Sequence, residues 1–404
     1  MIGRMSVILA GLLLAGLLLA GGALAQNAVV RPLRVGVLTD MNGTVANVVG
    51  KGSVVAARLA IEDNGGSVLG RPIELLSGDT QAKPDIAASI VRRWYDEEGV
   101  DAVVDVPNTA VAMAVQTISR EKHKIALLSA PGSVDLYGSA CSPTGFLWTY
   151  DTAALSRGTA NAVFAEGGTS WFFITTDYSF GIQLQRDTGA VVQSLGGTVL
   201  GDMRMPPGTS DFSSPLLKAQ SSGAKVIALA NAGTDTINAI KGAHEFGLTQ
   251  SGRSIAALVL FITDVHSLGL ETVGGTYLTT AFYWDMDDAT RAFSKRFEAE
   301  MGRPPTMLQA GAYSALNHYL KAVKQAGTAG ATEVAAAMRA MPVDDAFTHG
   351  ARIRPDGRLV RDMYLAQVKM PAESKGPWDV YRIVRTLPGS TLLPPAEQSA
   401  CTLN

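Results

Sequence analysis

Residues 33–63 read LRVGVLTDMNGTVANVVGKGSVVAARLAIED. Leu33 to Leu38 is a short apolar run broken only by Arg34. A glycine-punctuated stretch follows, and Gly52 to Asp63 carries apolar residues at helical spacing. The unit is strand, turn, helix, and it recurs downstream. Ile73–Leu76, Ala102–Val106 and Ile125–Leu128 read as strands. Pro84–Glu97 and Thr109–Glu121 read as the helices between them. Such a series builds a parallel sheet with helices on both faces.

The series restarts after Tyr150. Helices are predicted over Ala153–Glu166, Phe180–Leu195, Phe212–Ser221 and Thr234–Phe246. Strands are predicted over Ser170–Thr175, Thr198–Met203, Ala224–Ala230, Ile255–Ile262 and Gly275–Ala281. Helices near 288–301, 306–326 and 332–341 come next, and 362–368 and 378–384 are strand-like. The length, 404 residues, suits two or three domains. Two doubly wound parallel sheets fit this α/β pattern better than one sheet of a dozen strands. Ligands of open α/β sheets sit at the carboxyl ends of strands, so two such lobes face to face would enclose a cleft.

Charge is nearly balanced, 34 Lys and Arg against 36 Asp and Glu, which argues against a nucleic-acid surface. Apolar residues make up 47% and charged ones 17%, enough for a large core. Part of the apolar share is local. Residues 1–25 read MIGRMSVILAGLLLAGLLLAGGALA, with one early Arg, a 14-residue apolar run from Val7 to Ala20, and Ala23-Leu24-Ala25 before Gln26. This is the layout of a cleaved signal peptide, and it is short for a bilayer span. The alternative is an uncleaved anchor. Outside the cytoplasm thiols pair. Cys141 and Cys401, the two cysteines of the chain, are therefore expected to form one bridge; the alternative is two buried thiols.

No catalytic signature stands out. His123, His244, His266, His318 and His349 form no HExxH or HxxxH pair, so no zinc hydrolase motif appears. No G-x-S-x-G elbow and no P-loop is found. Gly50-Lys51-Gly52 lacks the third glycine of a dinucleotide motif. Ser119 to Lys122 matches S-x-x-K only as the charged end of a surface helix. Asp63, Asp79, Asp101 and Asp105 are scattered carboxylates without a partner in the pattern. No cofactor is expected, and the chain is read as a binding protein rather than an enzyme.

The opening stretch Gly36-Val37-Leu38-Thr39-Asp40-Met41-Asn42-Gly43, with the helix ending Ala60-Ile61-Glu62-Asp63, resembles the start of a periplasmic substrate-binding protein. The type is the one serving ABC importers of the leucine/isoleucine/valine class. The resemblance continues through Asp177–Gly181, Thr209–Phe212, Gly223–Ile227 and Gln309–Tyr313, and spans essentially 31–404. Cys141-Ser142-Pro143, Trp148–Thr152, Phe261–His266 and Lys375–Asp379 resemble a subset that takes up aromatic carboxylic acids. It implies a type I periplasmic binding fold: one lobe of 31–149 and 280–345, another of 150–279 and 346–404, and a three-segment hinge. It further implies a monomer that closes on a small-molecule ligand and docks on membrane permease subunits.

Candidate ligand contacts follow from loop position. Met41, Asn42, Asn108, Thr109, Gly132 and Ser133 follow strands of the first lobe, and Tyr150 lies on the first crossing. The resemblance places a ligand carboxylate at Thr109 and Ser133; capping of the helix at 109 is the alternative for Asn108 and Thr109. Tyr178, Phe180, Asn231, Thr263 and Asp264 occupy the matching loops of the second lobe. Tyr283 lies on the second crossing, and Gln309 shares a helix face with Tyr313. Asp264 is the one carboxylate in these loops that could take an ammonium. The rings and the lack of Arg favour an aromatic or hydrophobic monocarboxylate. Branched-chain amino acids, amides or urea are the alternative, as is a sensing rather than a transport role.

Overall fold

The computed structural model describes residues 31–403, so the leader at 1–25 lies outside the described residues. The first sheet holds β1 (Leu33–Thr39), β2 (Ser67–Val68), β3 (Arg71–Asp79), β4 (Ala102–Asp105), β5 (Ile125–Leu128) and β6 (Gly145–Leu147), in the order β2-β3-β1-β4-β5-β6. All its pairings are parallel except β2 with β3. β4 and β5 are buried along their whole length, as central parallel strands covered on both faces must be. Their sequences, AVVD and IALL, are correspondingly continuous in apolar residues up to Asp105.

The second sheet holds β7 (Ser170–Thr176), β8 (Thr198–Met205), β9 (Val226–Ala230) and β10 (Ser254–Ala257), in the parallel order β10-β9-β7-β8. β8 lies at an edge and alternates exposed with half-buried residues, whereas β9 is buried throughout. The chain then adds β11 (Tyr277–Thr280), β12 (Val343–Asp345), β13 (Thr348–Ile353), β14 (Leu359–Val360), β15 (Met363–Val368) and β16 (Tyr381–Leu387). These make two antiparallel sheets, β11-β15-β16 and β12-β13-β14. β12 and β13 pair across residues 345–348, a span that the resemblance assigns to a passage between lobes.

The chain leaves the first sheet at Trp148 and enters the helix Thr152–Ala165 through Asp151. Asp151 accepts the Ala154 N–H and pairs with Arg358 at 2.8 Å; both side chains are buried. Arg358 also donates to the carbonyl of Trp148 at 3.0 Å. One guanidinium thus ties the first crossing to the β14 region. A buried pair of this kind gives little net stability, but leaving either charge alone would be costly.

One predicted strand is shorter than expected. Ile255–Ile262 was expected as a continuous strand, but β10 stops at Ala257, and Ile262–Leu268 is a helix. A buried apolar run does not reveal its own period. The Asp264 carboxylate accepts the Phe261 N–H at 3.0 Å and so opens the helix. Thr263 and Asp264 therefore lie inside a helix, not on a loop after a strand.

Cys141 and Cys401 are joined, with Cα atoms 5.6 Å apart. Among the described residues no helix is long and apolar enough to cross a membrane, and no group of three His, Cys, Asp or Glu could hold a metal ion.

Candidate functional site

A cavity of about 200 Å³ opens at the carboxyl ends of β1, β4, β5, β7 and β9, between the two parallel sheets. The first sheet contributes Asp40 after β1, Asn108 and Thr109 after β4, and Ala130 to Gly132 after β5. The second contributes Tyr178 and Phe180 after β7, and Ala232 and Asp235 after β9. Phe261 closes the second side, and Tyr150 comes from the first crossing.

The loop into Asn108 has an unusual backbone. Asp105, Val106 and Asn108 have φ of +84°, +58° and +76°. For residues other than glycine this is the sparsely populated left-handed region, of order 1–3 kcal/mol each. Asn108 then caps the helix Thr109–Glu121, its Oδ1 accepting from the N–H of Ala110 at 3.0 Å and of Val111 at 3.3 Å. Thr109, only 4% exposed, lines the cavity, and its hydroxyl has no partner among the described residues. A buried hydroxyl left unpaired is costly, so its position at a helix start beside a cavity suits a polar ligand atom.

Opposite stands a set of rings. Tyr150 meets Phe180 edge to face, with centroids 6.1 Å apart, and Tyr178 lies 6.0 Å from Phe180. The Tyr150 hydroxyl donates to Ala130 O at 3.1 Å. Gly132 makes room for this group: a Cβ there would lie 2.5 Å from Tyr150 and 2.8 Å from Phe180. Val45, Val48, Val49 and Leu308 extend the apolar wall.

The cavity is shut on two flanks. The Thr234 N–H donates to Thr44 O at 3.2 Å, joining the loops after β9 and β1. Gly233, with φ +61°, allows this approach, since a Cβ would lie 2.3 Å from Thr44 O. On the other flank Gln183 accepts the Val134 N–H at 3.1 Å and donates to Asp135 at 3.1 Å.

No Lys, Arg or His is among the described residues lining the cavity; its ionisable acids are Asp40 and Asp235. Asp40 accepts the Gly43 N–H at 2.7 Å. Asp235 takes the Thr176 hydroxyl at 3.1 Å and the Gly208 N–H at 3.0 Å. Burial pushes the Asp235 carboxyl above its ordinary range, against the pull of those two donors.

Of the residues expected from sequence, Asn108, Thr109, Gly132, Tyr150, Tyr178 and Phe180 are brought together here. The others sit elsewhere. Met41 and Asn42 bond to Asp79, through a backbone N–H and a side-chain amide. Ser133 borders the cavity by sequence, but its hydroxyl accepts the Asp135 N–H at 3.2 Å and caps a short turn. Asn231 is buried and accepts the Thr236 hydroxyl. Tyr283 donates to Trp378 O. Gln309 is buried, and its Nε2 donates to Val49 O. Asp264 is fully buried beneath Phe261, and burial pushes its carboxyl up to about 7 against the Phe261 N–H. The acid that reaches the cavity from the second sheet is Asp235 instead. Like Asp264, it is an acid in the first turn of a helix, so the sequence pattern alone does not separate the two.

The family profile of periplasmic binding proteins matches residues 32–377. A periplasmic binding protein of Burkholderia mallei is 45% identical, with a TM-score of 0.90 over 92% of this chain and 99% of that one. A branched-chain amino acid ABC transporter periplasmic ligand-binding protein of Burkholderia xenovorans is 41% identical, with a TM-score of 0.83 over 91% and 99%. A Leu/Ile/Val-binding protein homologue of Brucella melitensis is 25% identical over 83% of this chain and 87% of its own length. Two facing α/β sheets, a cavity at their strand ends and these matches agree that the chain belongs to the periplasmic binding protein family.

Proposed function

We propose that this chain is the exported solute-binding subunit of an ABC importer, and that its cavity takes a small monocarboxylate with an aromatic or hydrophobic body. The observation that carries the reading is the pairing of two features in one cavity. An unpartnered Thr109 hydroxyl lies at a helix start, and the Tyr150, Tyr178 and Phe180 rings line the same space. Neutral donors and a helix N-terminus hold a carboxylate without a counter-charge. The flat body then lies against rings and the valine wall. Closure brings 31–149 with 280–345 against 150–279 with 346–404, and the closed form delivers its ligand to a membrane permease. Export follows from the leader at 1–25.

A second reading rests on Asp235 and Asp40. An α-amino acid would place its ammonium on one of these acids, and the Burkholderia xenovorans relative is described by that ligand class. Calorimetry with benzoate, 4-hydroxybenzoate, hexanoate and leucine separates the two. The monocarboxylate reading expects benzoate-type acids to bind most tightly, and Asp235→Asn to leave them bound. Tightest binding by leucine, lost in Asp235→Asn, overturns it.

A further inference from the structure

Behind the Thr109 end of the cavity lies a further acid that does not line it. Asp105 ends β4, is fully buried, and points among hydroxyls from three elements: Thr39 of β1, Ser53 of the helix Gly50–Asp63, and Ser129 after β5. Ser129 Oγ donates to Asp105 Oδ1 at 3.5 Å. Asp105 Oδ2 and Ser53 Oγ both lack a hydrogen-bond partner among the described residues. The titratable groups facing it are Asp40 beyond β1 and Tyr150 on the first crossing, and neither is a cation. The Tyr150 hydroxyl donates elsewhere, to Ala130 O.

A fully buried carboxylate with no counter-charge and one bare oxygen is poorly stabilised; a proton on Oδ2 removes the charge and supplies a donor for a neighbouring hydroxyl. Burial indeed pushes the Asp105 carboxyl up to about 7, against its hydroxyl neighbours, and the charge of Asp40 adds to the rise. The residue is also wired to the cavity by its backbone. Its carbonyl accepts the Ala130 N–H at 3.1 Å, and its left-handed turn leads directly through Pro107 and Asn108 to Thr109. Ala130, Pro107, Asn108 and Thr109 all line the cavity.

We propose that Asp105 is a proton-coupled positioning residue: a ligand carboxylate bound at Thr109 enters together with a proton taken from solvent by Asp105. The inference rests on the monocarboxylate reading of the cavity. An anion at Thr109, four residues along the chain from Asp105, disfavours a second negative charge there, so ligand and proton bind cooperatively. The sign follows. Below the range in which Asp105 titrates, the proton is already present and affinity is highest. As pH rises through about 7, binding must import the proton, and affinity falls. Asn at 105 keeps the shape, supplies the donor permanently and has nothing to titrate.

Benzoate is the probe, since it stays ionised from about pH 6 to 8. Calorimetry in phosphate and in Tris, whose ionisation enthalpies differ, reads the protons taken up. Wild type is expected to take up about 0.3–0.5 proton per benzoate near pH 7 and to bind about threefold to tenfold more weakly at pH 8 than at pH 6. Asp105→Asn is expected to take up none and to bind equally at both pH values. Asp264→Asn, which removes a similarly buried acid that holds the Phe261 N–H but does not itself line the cavity, is expected to keep the wild-type uptake. A carbon-13 carboxyl titration of the ligand-free protein checks directly that Asp105 holds its proton near neutral pH, even where a variant folds poorly. Benzoate binding without proton uptake, uptake that persists in Asp105→Asn, or an Asp105 carboxyl that titrates near its ordinary value overturns the inference. Absence of benzoate binding in the folded wild-type protein overturns the monocarboxylate reading on which it stands.

Discussion

Thr109 and Asn108 are adjacent and play different parts. Asn108 spends its side-chain oxygen on the helix it starts, while the Thr109 hydroxyl is left for the cavity. Thr109→Ala should therefore leave thermal stability nearly unchanged, because no bond within the protein is lost. It should weaken carboxylate binding about tenfold to a hundredfold, the value of one hydroxyl bond to a charged group; calorimetry and a melting curve on the same sample check both. Ser133→Ala removes a turn cap instead, so the expected loss is about 0.5–2 kcal/mol of stability, with a smaller effect on binding than Thr109→Ala. Phe180→Leu should hurt benzoate more than hexanoate, since the ring stacking is lost while apolar contact remains; equal losses for both would mean that the ring does not stack on the ligand. Thr109 was placed by its loop after a strand together with the family resemblance, and Phe180 by the resemblance; both line the cavity. Asp235 was passed over for Asp264. Both are acids in the first turn of a helix, and only three-dimensional packing decides that one turns into the cavity and the other folds back under Phe261.

The strand-helix alternation was readable wherever each strand carried its own apolar run and each helix its own period. It failed at 255–268, where the apolar run passes without a break from β10 into a helix. It was also silent for β12, β13 and β14, which are short and antiparallel and are set by partners distant in sequence. The loop after β1 was read as a glycine-punctuated turn, yet Val45, Val48 and Val49 form a wall of the cavity. An apolar cluster inside a glycine-rich loop was the available signal. That loop also meets the helix start at Gly233 across the cleft. Gly233→Ala would put a Cβ 2.3 Å from Thr44 O at a position of φ +61°. The expected result is intact lobes that close incompletely: ligand dissociates at least about tenfold faster, and small-angle scattering shows less compaction on ligand addition than in wild type. Unchanged dissociation and full compaction would mean that this contact does not take part in closure.

For the whole molecule, the bridge from Cys141 to Cys401 ties the carboxyl-terminal tail to the segment before β6, across 260 residues of sequence. Closing so long a loop is worth about 5–6 kcal/mol in the chain-entropy account, so reduction should lower the melting temperature measurably. Thiol titration of the denatured, unreduced protein should find no free thiol. What the closed cleft holds is read from a calorimetric titration of residues 26–404 with benzoate and with leucine, repeated on Thr109→Ala and Asp235→Asn. Benzoate is expected to bind more tightly than leucine, Thr109→Ala to weaken it about tenfold or more, and Asp235→Asn to leave it unchanged. Leucine binding more tightly, abolished by Asp235→Asn and indifferent to Thr109→Ala, would overturn the monocarboxylate assignment.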